Sequence, residues 1–346
     1  MRRAIVVIIL FLIMSVPVRA VSIEPVQPSG DAADLMPETT GNFSEDILYL
    51  LRMATSAVQP EVTEGVKVCL SVICAVLVMS VLQSFHGVSK QVTEMVGVVI
   101  ISAVLVYATD SMISLGAETV QEISRYGKLL LPVLTGALAA QGGVTSSAAL
   151  YAGTAMFDAV LCAVISNILI PMVYIFLVFG ILSAALGEDI LGKLKDFVKW
   201  LLTWCLKVIL YVFTGYISIT GVISGVTDQA TVKATKITIA GVVPVVGGIL
   251  SDASEAVVVG VSVAKSAAGI YGIVAMLAIL IVPFLTIAVQ SLMLKLTSFF
   301  SGIIGNSKIC LLIETFSVAM GFLLAMTGTS CLMQMISVVC FMKGMS

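Results

Sequence analysis

Runs of about twenty apolar residues, separated by short polar breaks, recur along most of this chain, and that is the length a helix needs to cross a bilayer core. Seven runs are predicted to be membrane spans: 66–84, 95–115, 148–166, 168–187, 201–222, 268–291 and 309–327. A shorter apolar run, 331–342, is either a partial helix or a continuation of the last span. The pattern predicts an all-α, polytopic helical membrane protein with about seven to nine membrane segments, including broken or re-entrant ones.

Two apolar stretches, 129–146 and 241–264, contain helix-breaking residues and are predicted to be broken or re-entrant. The first holds Pro132, Gly136, Gly142 and Gly143, and the second holds Pro244, Gly247, Gly248, Ser251, Asp252, Ser254 and Glu255. Proline removes a backbone donor, and the serines and carboxylates can cap a new half-helix that begins near Ser251. The positive end of that half-helix would favour Asp252 and Glu255, which would line a polar vestibule or gate, or a shallow re-entrant turn.

The first sixty residues are predicted to precede the membrane domain. Residues 1–20 read as a signal peptide cleaved after Ala20, with an uncleaved anchor as the alternative. Residues 21–41, rich in proline and acidic side chains, predict a flexible extracytoplasmic linker. Residues 42–60 predict an amphipathic surface helix that ends at Pro60, and 61–346 form the polytopic transmembrane domain. The mature N-terminus is therefore expected outside the cytoplasm.

A few polar or small residues within the apolar runs carry separate expectations. An intramembrane carboxylate costs about 2.5 to 3.5 kcal/mol at a helix centre and so normally faces protein or water. Asp110, near the end of a span, is predicted to be interfacial, whereas the deeper Asp158 is either pore-facing or bonded to another helix. Gly221 and Gly225 form a GxxxG pattern that permits close helix packing. The amphipathic stretch 187–200 carries lysines that favour the cytoplasmic leaflet.

Composition supports the membrane class and narrows the chemistry. Hydrophobic residues make up 59% of the chain and charged residues 11%, against about 25% charged in soluble domains. A net charge of -2 argues against nucleic-acid binding. The seven cysteines form no CxxC pair and the chain has one histidine, so no metal site or cofactor is expected. No nucleophile, base and orienting group occur at a recognisable spacing, which argues against an enzyme.

The run KATKITIAGVVPVVGGILSDASEAVVVG, the upstream LPVLTGALAAQGGVTSSAA and the order of the spans resemble the stage III sporulation protein AE family of endospore-forming bacteria. The resemblance implies a multi-pass protein of the mother-cell membrane around the forespore. It also implies partners from the same operon, a secretion-type ATPase and ring-forming proteins, and a forespore membrane partner. The implied function is that of a membrane subunit in a secretion-like channel, or feeding-tube, complex required for forespore development after engulfment. The resemblance supplies no catalytic residues.

The residues alone are also compatible with a different function. An autonomous secondary transporter, or permease, would also use broken helices, with Asp252 and Glu255 at its substrate or ion site. A weak similarity between the two proline- and glycine-containing stretches, which would indicate a duplicated unit, suits this alternative. A membrane-embedded enzyme is a third reading, and the absence of a catalytic constellation argues against it.

Overall fold

The computed structural model describes residues 26–28, 31–37, 43–83, 90–140, 144–219, 267–304 and 307–344. These residues form α1 (Asp31–Asp34), α2 (Phe43–Gln83), α3 (Lys90–Ala140), α4 (Val144–Val164), a π-helix (Ile165–Leu169), α5 (Ile170–Leu186), α6 (Asp189–Ile219), α7 (Ala267–Ile303) and α8 (Ser307–Gly344). Six helical segments in the described part are long and apolar enough to cross a membrane. The all-α, polytopic class predicted from the sequence is confirmed.

The predicted spans 148–166 and 168–187 are one continuous helical segment. α4 passes through the π-helix directly into α5, and Gly187 ends the segment with φ 74°, a left-handed conformation that glycine adopts readily. Asn167, which separates the two predicted spans, lies inside the π-helix, so one wider turn accommodates it. The described residues hold six candidate spans, and the stretch 241–264 lies outside them.

Two predicted helix breaks do not occur at the prolines. α2 continues through Pro60, so the helix predicted to end there belongs to a longer one. α3 continues through Pro132 and Gly136 to Ala140. Both prolines are exposed, so water can reach the helical carbonyl that each leaves without a donor. Gly142 and Gly143 lie outside the described residues.

Part of the predicted linker 21–41 is packed against the bundle. Leu35, which follows α1, is buried in a small apolar cluster with Leu50 and Val274. The hydroxyl of Tyr126 donates a hydrogen bond of 2.9 Å to the carbonyl of Val26. Burying one leucine side chain stabilises by about 1.5 to 3 kcal/mol, which offsets part of the entropy lost when the segment is ordered. The prediction of an unpacked linker is therefore corrected for residues 31–37.

Neighbouring helices run antiparallel, and several of their ends meet on one side of the bundle, where lysines are concentrated. Nζ of Lys308, at the start of α8, lies 3.1 Å from Oε2 of Glu94, near the start of α3. Gly187, between α5 and α6, also approaches Lys308. The start of α8, the start of α3 and the end of α5 therefore lie close together. We call this the basic end, after its lysines: Lys193, Lys195, Lys199 and Lys308. α1, the end of α3 and the start of α4 lie toward the opposite end.

α8 is the central helix of the bundle. Of the most apolar eighteen-residue stretch of α8, 78% is buried. The corresponding stretches of the other five candidate spans are at most half buried. It packs against α3, α4, α5, α6 and α7. Its side chains therefore form much of the core, and polar residues on α8 face protein in place of lipid.

The outer surface is apolar over only part of the bundle's length. Exposed large apolar side chains concentrate in 66–82 of α2, 92–107 of α3, 168–186 of the π-helix and α5, 190–212 of α6 and 292–303 of α7. We call this zone the apolar belt. Its sixteen-residue stretch on α3 covers about 24 Å at 1.5 Å per residue, close to the thickness of a bilayer core. By contrast, the 51 residues of α3 would extend about 75 Å.

Beyond the belt, away from the basic end, the exposed faces of α2 and α3 carry many polar residues, although Leu48, Tyr49 and Leu51 on α2 and Leu129 on α3 are also exposed there. The polar residues are Ser44, Glu45, Arg52, Gln59, Glu64, Ser114, Glu118, Gln121, Arg125 and Lys128. We call this part of the bundle the polar half. Tyr151, Met156 and Val160 on α4 are exposed apolar side chains that lie outside the belt. The change in surface character along α2 and α3 indicates that lipid surrounds one part of these helices and water the other.

Candidate functional site: a buried carboxylate at a three-helix junction

Asp158 on α4 joins three helices through its two carboxylate oxygens. The hydroxyl of Ser124 on α3 donates a hydrogen bond of 2.7 Å to Oδ2. Nε2 of Gln334 on α8 donates one of 2.6 Å to Oδ1. All three side chains are at most 2% exposed. Of the two roles that the sequence leaves open for Asp158, the geometry is that of a helix-bonding residue.

Gly127 on α3 makes room for the amide of Gln334. A Cβ atom placed on this glycine would lie 2.5 Å from Nε2 and 2.8 Å from Oε1 of Gln334, closer than real Cβ contacts. Gly127 lies almost one helical turn beyond Ser124, so both residues present the same face of α3 to the junction. The close approach of α3 and α8 at this point therefore depends on the missing side chain.

Not every polar atom in this interior is satisfied. Among the described residues, Oε1 of Gln334 and the hydroxyls of Thr154 and Thr329 are buried without a hydrogen-bond partner. A buried group of this kind costs about 1 to 3 kcal/mol unless a partner reaches it. Thr154 lies one turn before Asp158 on α4, and Thr329 lies on α8 near Gln334. These polar atoms in the interior around Asp158 could thus form further hydrogen bonds.

The junction contains no direct ion pair among the described residues, although the charge of Lys128, next to Gly127 on α3, acts on Asp158. Within the described part of the chain, no lysine or arginine forms an ion pair with Asp158, and its two partners are neutral donors. A carboxyl group in this setting can accept two hydrogen bonds as an anion or donate one after taking up a proton. The unpartnered Oε1 of Gln334 is an acceptor that a protonated Asp158 could use after the amide turns over. The arrangement therefore supports helix locking and reversible protonation.

The other predicted site residues are only partly described. The candidate break or gate at Pro244, Gly247, Gly248, Ser251, Asp252, Ser254 and Glu255, and the packing pair Gly221 and Gly225, lie outside the described residues. Asp110 is exposed at the edge of the apolar belt, where the hydroxyl of Tyr174 donates a 2.7 Å hydrogen bond to it. No cluster of three metal-binding side chains occurs among the residues that the structure places.

Sequence reasoning identifies Asp158 but misses its partners. Ser124 is separated from it by 34 residues and Gln334 by 176, so no local spacing connects them. Two weak signals were present in the sequence. Gln334 is a polar side chain in the predicted apolar run 331–342, and Gly127 is a glycine one position from Lys128. Neither signal names a contact without the fold.

Two comparisons with known proteins found a match. The family model described as stage III sporulation protein AE matches residues 31–344. A protein of Bacillus subtilis (strain 168) named stage III sporulation protein AE is 23% identical over 271 residues, which cover 78% of this chain and 62% of that relative. The match thus spans less than two thirds of the relative's length. No solved structure matches. Because the family model matches most of its length, the chain belongs to the stage III sporulation protein AE family.

Proposed function

We propose that this protein is a membrane subunit of the secretion-like channel complex that connects the mother cell with the forespore and sustains forespore development after engulfment. Family membership supports a sporulation role and the helices support a multi-pass membrane location. The observation that carries the finer proposal is the length of the bundle beyond the apolar belt. A subunit of a transenvelope complex needs a surface outside the bilayer, and the polar half would supply it.

The proposed orientation follows from the distribution of charge. Lysines concentrate near the turns of membrane proteins that face the cytoplasm. The basic end would therefore face the mother-cell cytoplasm, where the secretion-type ATPase would act. The polar half and the N-terminal segment would then lie in the space between the two membranes, within reach of the ring-forming proteins and the forespore membrane partner.

Native co-purification tests the proposal. The protein is extracted in mild detergent from sporulating cells after engulfment, with a photo-crosslinking residue introduced at exposed positions. Positions Gln59 and Gln121 in the polar half are expected to crosslink to ring-forming proteins, and position Lys193 at the basic end to the ATPase. Val104 in the apolar belt is the matched control and should crosslink only to lipid. Recovery of the protein alone, with the rest of the assembly intact without it, would falsify the subunit proposal.

A second candidate function is an autonomous secondary transporter. The observation that favours it is Asp158, a carboxyl group buried among three helices with no ion pair among the described residues, because such a group can take up and release a proton. Replacing Asp158 by asparagine would then abolish solute uptake in vesicles while complex assembly stayed normal. The same experiment applies to Asp252→Asn with Glu255→Gln in the stretch that the sequence singles out.

A further inference from the structure

A cavity of about 950 Å³ lies between α1, α2, α3 and α7. It shares no residue with the Asp158 junction, which lies on the α4 and α8 side of α3. Its walls come from the region where the apolar belt meets the polar half, and Leu35 after α1 lies on one wall. The packing of α1 against the bundle therefore completes this cavity.

The cavity carries an excess of negative charge. Four carboxylates line it, those of Asp34, Glu61, Glu118 and Glu122, together with the single guanidinium of Arg125. Arg125 pairs with Glu122, its neighbour one turn earlier on α3. No lysine or arginine of the described residues forms an ion pair with the other three carboxylates. Three acidic side chains on three different segments thus face one space without a basic partner.

The α7 wall adds neutral hydrogen-bond acceptors. Thr286 is 5% exposed and lines the cavity, and its hydroxyl has no hydrogen-bond partner within the described ranges. Pro283 has no backbone N–H, so the carbonyl of Ile279, four residues earlier, lacks its usual helical donor. Ile279 and Pro283 also line the cavity. A hydroxyl and a carbonyl that lacks its usual helical donor therefore lie on the α7 wall, whereas the carboxylates come from the other three segments.

The spacing of these groups argues against a single metal ion. No three acidic, histidine or cysteine side chains in the described part of the chain are close enough together to ligate one. The acceptors are instead spread over a space large enough for an organic molecule, with apolar wall between them from Met112, Leu115 and Val282. An extended cation with amino groups separated by methylene segments matches both features, because each ammonium donates three hydrogen bonds and each segment covers apolar wall.

We propose that this cavity binds a linear aliphatic polyamine. Ammonium groups would bind Glu61, Glu118 and Asp34, and one would reach the hydroxyl of Thr286 on the opposite wall. The methylene segments would lie against Met112, Leu115 and Val282. The site stands independently of membership in the channel complex, since all its groups come from this chain.

Titration of the purified full chain with spermidine tests the proposal. Calorimetry in detergent is expected to show saturable binding that Mg²⁺ at equal charge concentration does not displace. Glu118→Gln removes one charge-assisted hydrogen bond and should weaken binding about tenfold. Thr286→Val removes an acceptor that has no partner within the chain, so it should weaken binding about threefold without lowering the unfolding temperature. Glu64→Gln is the matched control, because Glu64 is exposed on α2 outside the cavity.

Three results would overturn the proposal. The first is the absence of saturable binding at millimolar spermidine. The second is equal weakening by Glu64→Gln and Glu118→Gln, which would indicate attraction to the whole acidic surface. The third is full displacement of spermidine by stoichiometric Mg²⁺ or Ca²⁺, which would make the cavity a metal site. Unchanged binding in a correctly folded Thr286→Val variant would remove Thr286 from the site.

Discussion

Gly127 on α3 and Gln334 on α8 are in direct contact, so that a Cβ atom on the glycine would lie 2.5 Å from the side-chain nitrogen of the glutamine. The same nitrogen donates a 2.6 Å hydrogen bond to Asp158. A backbone position on one helix therefore controls whether an amide on a second helix can reach a carboxylate on a third. This dependence makes the junction testable by small substitutions.

Gly127→Ala should destabilise the protein by about 1 to 3 kcal/mol, because the new methyl group forces the amide of Gln334 away from a buried carboxylate. Thermal unfolding of the purified protein in mild detergent measures the change. Gly136→Ala on the same helix is the control, since a Cβ there meets nothing within 4 Å, and it should be neutral or slightly stabilising.

The double variant Gly127→Ala with Gln334→Ala separates the clash from other effects of alanine. Truncating Gln334 removes the atoms that the new methyl group would strike, so the double variant should be more stable than the sum of the two single changes predicts. Strict additivity would mean that the two residues do not contact each other.

Because Asp158 accepts two hydrogen bonds, its replacement by asparagine and its replacement by alanine should have different effects on stability. Asp158→Asn keeps an acceptor for Gln334, and Ser124 can turn its hydroxyl to accept from the new amide, so stability should be retained. Asp158→Ala leaves both buried donors without an acceptor and should cost about 1 to 3 kcal/mol. Unfolding temperature and protein abundance in sporulating cells are the measurements.

Asp110→Ala provides the reference for the Asp158 variants. Asp110 also accepts a hydrogen bond from another helix, but it is exposed, so its loss should stay within about 0.5 kcal/mol. A larger effect at Asp110 than at Asp158 would contradict the buried junction. Normal stability combined with lost sporulation in Asp158→Asn would show that the negative charge itself has a role.

A second close approach lies between α5 and α8. A Cβ atom on Gly180 would overlap Cγ2 of Thr315, so Gly180→Ala should destabilise by about 1 to 3 kcal/mol through overpacking. Thr315→Ser removes that methyl group and retains the hydroxyl, which donates a 2.8 Å bond to the carbonyl of Leu311. Adding Thr315→Ser to Gly180→Ala should restore part of the lost unfolding temperature. No loss in the single variant would show that the helices are farther apart.

The position of the bilayer is open to a direct labelling test. Ser56, Ser71 and Ser114 are all exposed, but Ser71 lies in the apolar belt and the other two lie in the polar half. A membrane-impermeant maleimide should label Ser56→Cys and Ser114→Cys above the level of the parent chain and leave Ser71→Cys unlabelled. Labelling of Ser71→Cys as fast as the others would place the belt in water.

The sequence predicts the membrane class and Asp158 because both depend on local composition. A run of apolar residues and a carboxylate within it are visible without any knowledge of the fold. The bounds of each helix are harder to predict from the sequence. Pro60, Pro132 and Asn167 are locally unfavourable in a helix, and the sequence predicts breaks at all three, yet α2 and α3 continue through the prolines and a π-helix accommodates Asn167.

The partners of Asp158 and the acidic cavity depend on which helices are neighbours. Ser124 and Gln334 reach Asp158 only because α3, α4 and α8 meet along one line. Glu61 and Glu118 share a cavity only because α2 and α3 lie on either side of α1 and α7. The sequence around each residue does not show which distant helices pack against each other, so these contacts could not be predicted from residue spacing.

The central position of α8 has a consequence for biogenesis. α8 leaves the ribosome after every helix that packs around it, so α3, α4, α5 and α7 enter the membrane before their shared partner exists. Until then Asp158 lacks one of its two donors, and the face that α8 will cover remains open. The bundle can close only after translation of α8, so a chain that stops before this helix leaves Asp158 without Gln334 and the α8-facing sides of the earlier helices uncovered.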